Sequence, residues 1–227
     1  MIDAASKAQS RPKRSLAIGS AETLWLSVRV ALCCGQLLGQ RTFISGYTDN
    51  KVFDAMLKIS DSSRITINAA AHNDKDLLFY EEMMMNGTCF GTKMNISIDG
   101  NVASAKMQNI SSVFHWLPTC DGCQLFSINS TARDLKTFLE LFGIHLGEAV
   151  NDQINARCLY LLAPGNTVKD SDLEHFKKQA HCLGFSGEPN FMIDPKKDIG
   201  VHKVNWASCS RSQTTTTTRG LLQTCSG

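Results

Sequence analysis

The sequence lacks any marked excess of charge of either sign. It carries 23 Lys and Arg residues against 21 Asp and Glu residues, a formal net charge of +2 over 227 residues. It also lacks a basic stripe with interleaved aromatic residues, the usual electrostatic footprint of proteins that bind nucleic acid. We therefore expect no nucleic-acid partner, and we expect the partner to be a small or apolar molecule.

The sequence also lacks the motifs of common catalytic sites. It has no nucleophile elbow, phosphate-binding loop or paired-carboxylate motif, and its six His residues show no metal-ligand spacing. Its single CxxC motif, Cys120 to Cys123, falls on an apparent hairpin tip. A local disulfide suits that position better than a redox-active pair, which normally opens a helix. We expect no enzyme activity, no metal and no cofactor.

No stretch is long and apolar enough to predict a transmembrane helix, so we expect no membrane span. Residues 1–38 carry a basic run, "KAQSRPKR", ahead of apolar "TLWLSVRVALCCGQLLG", in the order of a signal peptide, but Arg29 interrupts the apolar part. We interpret 1–38 as an atypical N-terminal segment with the features of a defective signal region. Residues 199–227, which include "TTTTT", are predicted to form a low-complexity, disordered tail. The organised domain is then 39–198.

What the sequence does contain is a series of short alternating runs that predict eight strands. These runs are 41–47, 64–71, 76–84, 88–98, 101–107, 109–117, 123–130 and 155–163. Turn dipeptides such as Asn86-Gly87, Asp99-Gly100 and Asp121-Gly122 separate several of them. Short strands with such turns between them favour an antiparallel barrel or sandwich.

One amphipathic helix is predicted after the last strand. Ser171 to Glu174 has the pattern of a capping box, Leu173, Phe176, Ala180 and Leu183 share one face, and Gly184 supplies a C-terminal stop. Shorter helical patterns occur at 50–58 and 131–144. The predicted plan is therefore a set of strands with one main helix packed outside.

Four Asn-x-Ser/Thr sequons, at Asn86, Asn95, Asn109 and Asn129, predict N-glycosylation. Together with nine cysteines they favour an extracellular, secreted protein. A glycan cannot lie inside a closed barrel, so an outward Asn fixes the direction of its neighbours at period two. Asn86 then falls in a turn, and the other three sequons place the larger apolar residues inside. The residues placed inside are Phe90, Thr92, Met94, Ile96, Ile98, Ile110, Ser112, Phe114, Trp116, Gln124, Phe126 and Ile128.

This inner face permits two interpretations. Its side chains can fill a core, which would leave a glycosylated β-domain that acts through protein–protein or immune-modulating contacts. They can also line a cavity, because Thr92, Ser112 and Gln124 accompany the aromatic and Met side chains there. Tight cores avoid such polar groups unless each has a partner, whereas ligand cavities use a few of them.

Several segments resemble the lipocalin family, in particular the branch of the alpha-1-acid glycoproteins and the fish tributyltin-binding and saxitoxin/tetrodotoxin-binding proteins. The most specific segment is "NARCLYLLAPGNTVKDSDLEHFKKQAHCLGFSGEPNFMIDPKKD" at 155–198. "GTCFGTKMNIS" resembles the strand that carries a cysteine in this branch, and "ISGYTDN" the start of its first strand. The resemblance covers about 39–198.

The resemblance implies an all-β fold with one flanking helix, an eight-stranded antiparallel up-and-down barrel, or calyx. It further implies a secreted, monomeric carrier of a small hydrophobic or amphipathic molecule, such as a lipid, steroid, xenobiotic or toxin, and no enzyme activity. A guanidinium-bearing toxin could use the aromatic side chains as cation–π faces. The ligand-binding residues expected on this basis are Tyr80, Phe90, Thr92, Met94, Ile96, Phe114, Trp116, Gln124, Phe126 and Ile128.

The chain departs from the family pattern at the barrel floor. Lipocalins begin their first strand with Gly-x-Trp, whose Trp lies under an Arg from a late strand, but here the segment is Gly39-Gln40-Arg41. Arg157 is the candidate for the late Arg, so the resemblance implies that two cations could meet at the floor.

The cysteines depart from the pattern as well. The resemblance implies a disulfide from Cys182 to a residue before the Gly-x-Trp position, where only Cys33 and Cys34 occur. It implies a second disulfide from Cys89 to a residue just after 198, where Ile199 and Gly200 stand and Cys209 is the nearest substitute.

Overall fold

The computed structural model of the protein describes residues 37–70, 76–99, 102–107, 109–140, 143–145, 153–195 and 223–225. All eight predicted strands are present in this part of the chain. The strands are β1 (Gly39–Thr48), β2 (Ser60–Ala69), β3 (Asp76–Met85), β4 (Thr88–Asp99), β5 (Val102–Met107), β6 (Ile110–Leu117), β7 (Gln124–Ala132), β8 (Ile154–Ala163), β9 (Phe191–Met192) and β10 (Gln223–Cys225). The helices are α1 (Lys51–Lys58), α2 (Lys136–Glu140) and α3 (Asp170–Cys182).

Strands β1 to β8 form a closed antiparallel up-and-down barrel. Each pairs with its neighbour in sequence, and β8 pairs with β1, with Thr42 opposite Ala163 and Thr48 opposite Cys158. The short β9 adds to β1, where Gly46 lies opposite Phe191. This confirms the predicted fold class, an eight-stranded barrel with one helix on its flank.

The alternating strand directions give the barrel two different ends. We call the end where β1 begins the floor end; it also carries the loop between β6 and β7. The opposite end, the lid end, carries α1, α2, the turn at Asn86-Gly87 and the residue before β6, Asn109. Here α1 and α2 enclose an apolar cluster that includes Val52, Phe90 and Leu135.

Helix α1 forms over the lid end because its sequence supplies a cap and an apolar face. The Asn50 side chain accepts a 2.8 Å hydrogen bond from the Val52 backbone N–H, the standard N-cap contact. Lys58 and Asp54 form an ion pair one turn apart, at 2.7 Å. Val52 and Leu57 are buried, so the helix is held against the barrel.

Helix α3 packs against the outside of the barrel through Phe176 and Ala180, which are both fully buried. The Phe176 ring lies 5.5 Å from the Tyr47 ring of β1. Gly184, with φ +86, follows the helix as predicted. The predicted capping box is wrong: the N-cap is Lys169, without a side-chain hydrogen bond, because the helix begins before Ser171. Leu183, expected on the packed face, is 39% exposed.

The pairing between β4 and β5 covers only part of β4. It runs from Ile96 to Asp99, and β10 pairs with the other half of β4, from Cys89 to Gly91. The part of β4 that has no partner in β5 explains why a strand forms at 223–225, within the segment predicted to be disordered. A strand edge with open N–H and C=O groups is a ready template for another strand.

The four sequon asparagines are all exposed. Asn86 has a φ of 48 and lies in the turn between β3 and β4, as the sequence predicted. Asn95 and Asn129 lie on the outer faces of their strands, while their neighbours Ile96 and Ile128 are buried. The period-two assignment of these strands is therefore confirmed, whereas glycosylation itself stays a prediction.

Candidate functional site

The barrel contains a partly open cavity of about 190 Å³ in the half nearer the lid end. Its walls come from β1 to β8, and Phe53, Met56 and Leu57 of α1 close it from above. The remaining lining is mostly aromatic, Met and aliphatic, with a few hydroxyl groups. The volume is below the range of about 300–1,000 Å³ of sites for drug-sized ligands, so the space suits a small or slender molecule.

The half of the barrel nearer the floor end is packed. Ile96 is 1% exposed and Trp116 is 6% exposed, and the Trp116 ring meets the Phe126 ring edge-on at 5.3 Å. Gln124 donates a 2.8 Å hydrogen bond from Nε2 to the Leu37 carbonyl. The two interpretations of the inner face thus each describe one half of the barrel, a filled half and a hollow half.

Half of the expected ligand-binding residues reach the cavity. Thr92, Met94, Phe114, Phe126 and Ile128 line it. Ile96, Trp116 and Gln124 lie below it in the packed half, and Phe90 lies in the lid cluster. No ligand contact of these residues is established by their position alone, so their roles stay proposals.

Tyr80 lies on the outer face of the barrel, not on the inner one. It is paired with exposed Lys93, whose Nζ lies 5.3 Å from the centre of its ring. Its neighbours Phe79 and Glu81 line the cavity instead. The reason is that "LLFY" is apolar at both parities, so the sequence of β3 did not determine which side faces inwards.

Glu81 places a carboxyl group in this apolar space, and sequence reasoning missed it. Among the lining residues in the described part of the chain it is the single charged one. Its Oε1 accepts a 2.7 Å hydrogen bond from Ser63 Oγ. Burial raises the pKa of Glu81, and the bond from Ser63 opposes that shift only in part. A ligand with a positive charge or a hydrogen-bond donor could use this group.

Other polar groups of the cavity differ in how they are satisfied. The Ser112 and Ser130 hydroxyls hydrogen-bond to each other at 2.8 Å. Thr92 is only 9% exposed, and its buried Oγ1 has no hydrogen-bond partner in the described part of the chain. An unpartnered buried hydroxyl is costly in a closed core, so it indicates a position at which a ligand or water completes the bond.

Cys158 and Tyr160 of β8 line another part of the cavity wall. Cys158 is a free thiol, 2% exposed, and its Sγ lies 3.5 Å from Thr48 Oγ1. Burial raises the pKa of Cys158, while its hydrogen bonds with Thr48 and Tyr160 lower the pKa in part. Burial also raises the pKa of Tyr160, so its hydroxyl is neutral near pH 7. In the sequence, charged Arg157 was the signal that could have identified Cys158 and Tyr160 as inward residues. A charged side chain faces outwards, so strand residues of the opposite parity face inwards.

Five methionines line the cavity, and their flexibility bears on its size. They are Met56, Met83, Met85, Met94 and Met107. Met side chains are unbranched and repack at low cost, so the wall can adapt to ligands of different shape. Met94 and Met107 belong to the strands β4 and β5 beyond the end of their mutual pairing.

Arg41 closes the floor end by hydrogen bonding. Its Nε donates to the Gly122 carbonyl at 2.8 Å, and Nη1 donates to the Gln40 carbonyl at 3.0 Å. Gly122 belongs to the loop that the Cys120–Cys123 disulfide closes. A guanidinium with carbonyl partners thus takes the place where the family pattern has a Trp.

The expected meeting of Arg41 and Arg157 is wrong. The register of β1 and β8 pairs Thr48 with Cys158, so Arg157 lies opposite Asp49, about 25 Å along the strand from Arg41. Arg157 forms a 2.7 Å ion pair with Asp49, and its guanidinium lies 5.2 Å from the Phe185 ring centre. It links the lid end of β1 to the segment after α3.

The cysteines agree with the expectations in part. The local disulfide between Cys120 and Cys123 is present. Cys89 is disulfide-bonded, and Cys225 of β10 lies directly opposite it in the strand register. Cys182, expected in a disulfide, is an exposed free thiol, and its candidate partners Cys33 and Cys34 lie outside the described residues.

Two further properties concern metals and membranes. Within 37–195, apart from the gaps given above, no three His, Cys, Asp or Glu side chains are grouped so that they could hold a metal ion. Among the helices described, none is long and apolar enough to cross a membrane.

Comparison with known proteins supports the fold. No protein-family model and no curated protein matches the sequence. Among solved structures, a siderocalin described as having a dual ligand-binding mode gives a TM-score of 0.51 at 11% identity, over 72% of this chain and 92% of that one. The siderocalin Ex-FABP, described as functioning through dual ligand specificities, gives 0.49 at 10% identity over 70% and 91%.

The bovine lipocalin allergen Bos d 2 gives a TM-score of 0.48 at 13% identity, over 67% of this chain and 89% of that one. At such low identity a likeness concerns the fold alone. The assignment of the fold rests on the siderocalin with the dual binding mode. The described part of the chain has the lipocalin fold.

Proposed function

We propose that this protein is a lipocalin that carries a small apolar or amphipathic molecule in its barrel. The observation that supports this most is the cavity inside the barrel, whose lining is apolar except for Glu81 and a few hydroxyls. A filled barrel would favour the alternative, a β-domain that acts only through protein contacts. A cavity beneath α1 instead suits a small ligand that is held inside the barrel.

The polar groups of the cavity favour an amphipathic ligand over a pure hydrocarbon. Glu81 accepts one hydrogen bond from Ser63 and borders the cavity with its half-buried side chain. Thr92 adds a buried hydroxyl without a partner. A ligand with an apolar body and one donor group, such as an amine, would satisfy Glu81 while its body displaces water from the Met and Phe side chains.

We further propose that the protein is secreted and glycosylated. The disulfides at Cys89 and Cys120–Cys123 suit an oxidising compartment. The exposed positions of the four sequon asparagines allow modification without change to the barrel. Expression in mammalian cells, followed by N-glycanase treatment of the medium, tests this; recovery of the protein only inside the cells and at its unmodified mass would contradict it.

Binding is tested with N-phenyl-1-naphthylamine, an apolar dye that fluoresces when it leaves water. We expect saturable binding at one site and displacement by nonan-1-ol. Ala105 lines the cavity from β5, and its neighbour Ser104 is exposed on the outer face. Ala105→Phe should fill the cavity and abolish dye binding, whereas Ser104→Phe adds the same ring outside and should leave it intact.

The comparison between these two variants decides the proposal. Equal dye binding by Ala105→Phe and the wild type, with the variant shown to be folded by circular dichroism, would place the dye outside the barrel. It would also remove the support for a carrier and favour the alternative.

A further inference from the structure

The cavity contains a nucleophile that an inert carrier does not need. Cys158 points into the same space as Glu81 and Thr92 and is one of two free thiols in the described part of the chain. The other, Cys182, is exposed at the end of α3. A molecule in solution reaches Cys182 directly, but it reaches Cys158 only after it enters the barrel.

The surroundings of Cys158 suit a reaction with a carbonyl compound. Tyr160, two residues along β8, lines the cavity beside it and hydrogen-bonds with its sulfur. Since the Tyr160 hydroxyl stays protonated, it can donate a hydrogen bond to an oxygen that gains negative charge. The arrangement therefore offers a sulfur nucleophile and an oxyanion donor on one strand.

A second, independent feature of the cavity indicates that a polar ligand group belongs there. Strand β4 lies four strands away from β8 in either direction around the barrel, so Thr92 faces Cys158 from across the cavity. Thr92 Oγ1 is buried and has no hydrogen-bond partner within the described residues. A polar ligand group or a water molecule inside the cavity could complete that bond.

We propose that Cys158 is a covalent attachment site for a small apolar ligand with a conjugated carbonyl group, an enal or enone, that has entered the cavity. This inference rests on the proposed function, because the ligand must first be bound in the barrel. Sγ forms a bond to the β-carbon while the carbon–carbon π bond breaks, and its electrons move to the carbonyl oxygen. Tyr160 hydrogen-bonds to that oxygen, and the proton lost by the thiol ends on the α-carbon. The product is a saturated thioether, with no oxidant or reductant required.

Burial has two opposite effects on this reaction. It raises the pKa of Cys158, so little thiolate exists near neutral pH and the rate should rise with pH. It also holds the ligand against the sulfur, which increases the effective concentration of the two reacting groups. A bound enal should therefore react at Cys158, whereas a water-soluble thiol reagent should not.

The experiment treats the full chain, with its disulfides intact, with trans-2-nonenal and maps the modified peptides by mass spectrometry. We expect an adduct at Cys158 that forms about tenfold or more slowly when excess nonan-1-ol occupies the cavity. Modification of Cys182 should not respond to nonan-1-ol. A charged methanethiosulfonate reagent should show the opposite preference, reacting with Cys182 and sparing Cys158 until the protein is unfolded.

Variants separate the chemical role from a structural one. Cys158→Ala should lose the adduct completely, a larger effect than any change in its dye Kd, whereas Cys182→Ser, outside the cavity, should keep both the Cys158 adduct and the dye binding of the wild type. Tyr160→Phe should reduce the rate constant of adduct formation by more than it changes the dye Kd, since it removes a donor to the developing oxyanion.

The outcomes distinguish this inference from the proposed function. If the dye binds and nonan-1-ol displaces it, but nonenal leaves Cys158 unmodified or modifies it without protection by nonan-1-ol, the covalent site is wrong and the carrier stands. If the dye does not bind at all, the carrier is wrong and the covalent site falls with it.

Discussion

Ser63 Oγ donates a 2.7 Å hydrogen bond to Glu81 Oε1 inside a cavity of mainly aromatic and Met side chains. The bond joins β2 to β3 and fixes the direction of the carboxyl group. It also offsets only part of the cost of burial, which is why the pKa of Glu81 stays raised. Glu81 therefore has a fixed position and can still accept a hydrogen bond or pair with a cation.

The first prediction concerns ligand charge. Glu81→Gln should weaken the binding of nonylamine about tenfold or more, the size expected for loss of a hydrogen bond to a charged group, and should leave nonan-1-ol nearly unchanged. The measurement is displacement of the naphthylamine dye. Glu82→Gln is the matched control, because Glu82 is the next residue of β3 and interacts with Arg64. Equal weakening of amine and alcohol would contradict a charge-specific role.

The second prediction concerns pH and stability. Because burial raises the folded pKa of Glu81 above its ordinary 4.5, the folded protein binds the proton of this carboxyl more tightly than the unfolded chain does. The contribution of Glu81 to stability is then fully present below pH 4.5 and is lost as pH rises through the folded pKa. The difference in free energy of unfolding between Glu81→Gln and the wild type should change by on the order of 1 kcal/mol between pH 4 and pH 7, in favour of the variant at pH 7. Urea unfolding at both pH values measures this, and a difference that does not change with pH would contradict it.

The third prediction concerns the floor. Arg41→Met keeps an apolar stem but removes the hydrogen bonds to the Gly122 and Gln40 carbonyls. We expect a loss of about 1–2 kcal/mol in the free energy of unfolding, measured in urea. Gln40→Met, at the exposed neighbouring position, should change it by less than about 0.5 kcal/mol. Similar losses in the two variants would mean that Arg41 does not close the floor.

The fourth prediction concerns the lid. Asn50→Ala removes the N-cap of α1 and should cost about 1 kcal/mol. Because α1 closes the cavity, the dye should also dissociate faster in stopped-flow measurements. Lys51→Ala, in the first turn and exposed, serves as the control. Unchanged dissociation despite the lost stability would show that ligands enter by another route.

The sequence predicted the strands and most inner faces because polar markers determine parity. Asn95 and Asn129 had to face outwards, and one such residue assigns a whole strand at period two. Strand β3 has no such marker, and its residues 77–80 are apolar at both parities. The position of Tyr80 was therefore wrong, and the adjacent Glu81 was missed.

Other features depend on which distant residues pair, and no local pattern contains that information. The register of β1 with β8 separates Arg41 from Arg157, and it pairs Arg157 with Asp49. The pairing of β10 with β4 joins residues more than a hundred positions apart. The division of the barrel into a packed and a hollow half also depends on the combined volume of the inward side chains from all eight strands.

Strand β1 combines four tasks within ten residues. Arg41 closes the floor, Phe43 lines the cavity, Tyr47 contacts α3, and Asn50, just after the strand, starts the lid helix. A single inserted residue in this stretch would reverse the facing of everything beyond it and shift the helix start by one position. This stretch should therefore tolerate hardly any change in length, even though most barrel loops can vary.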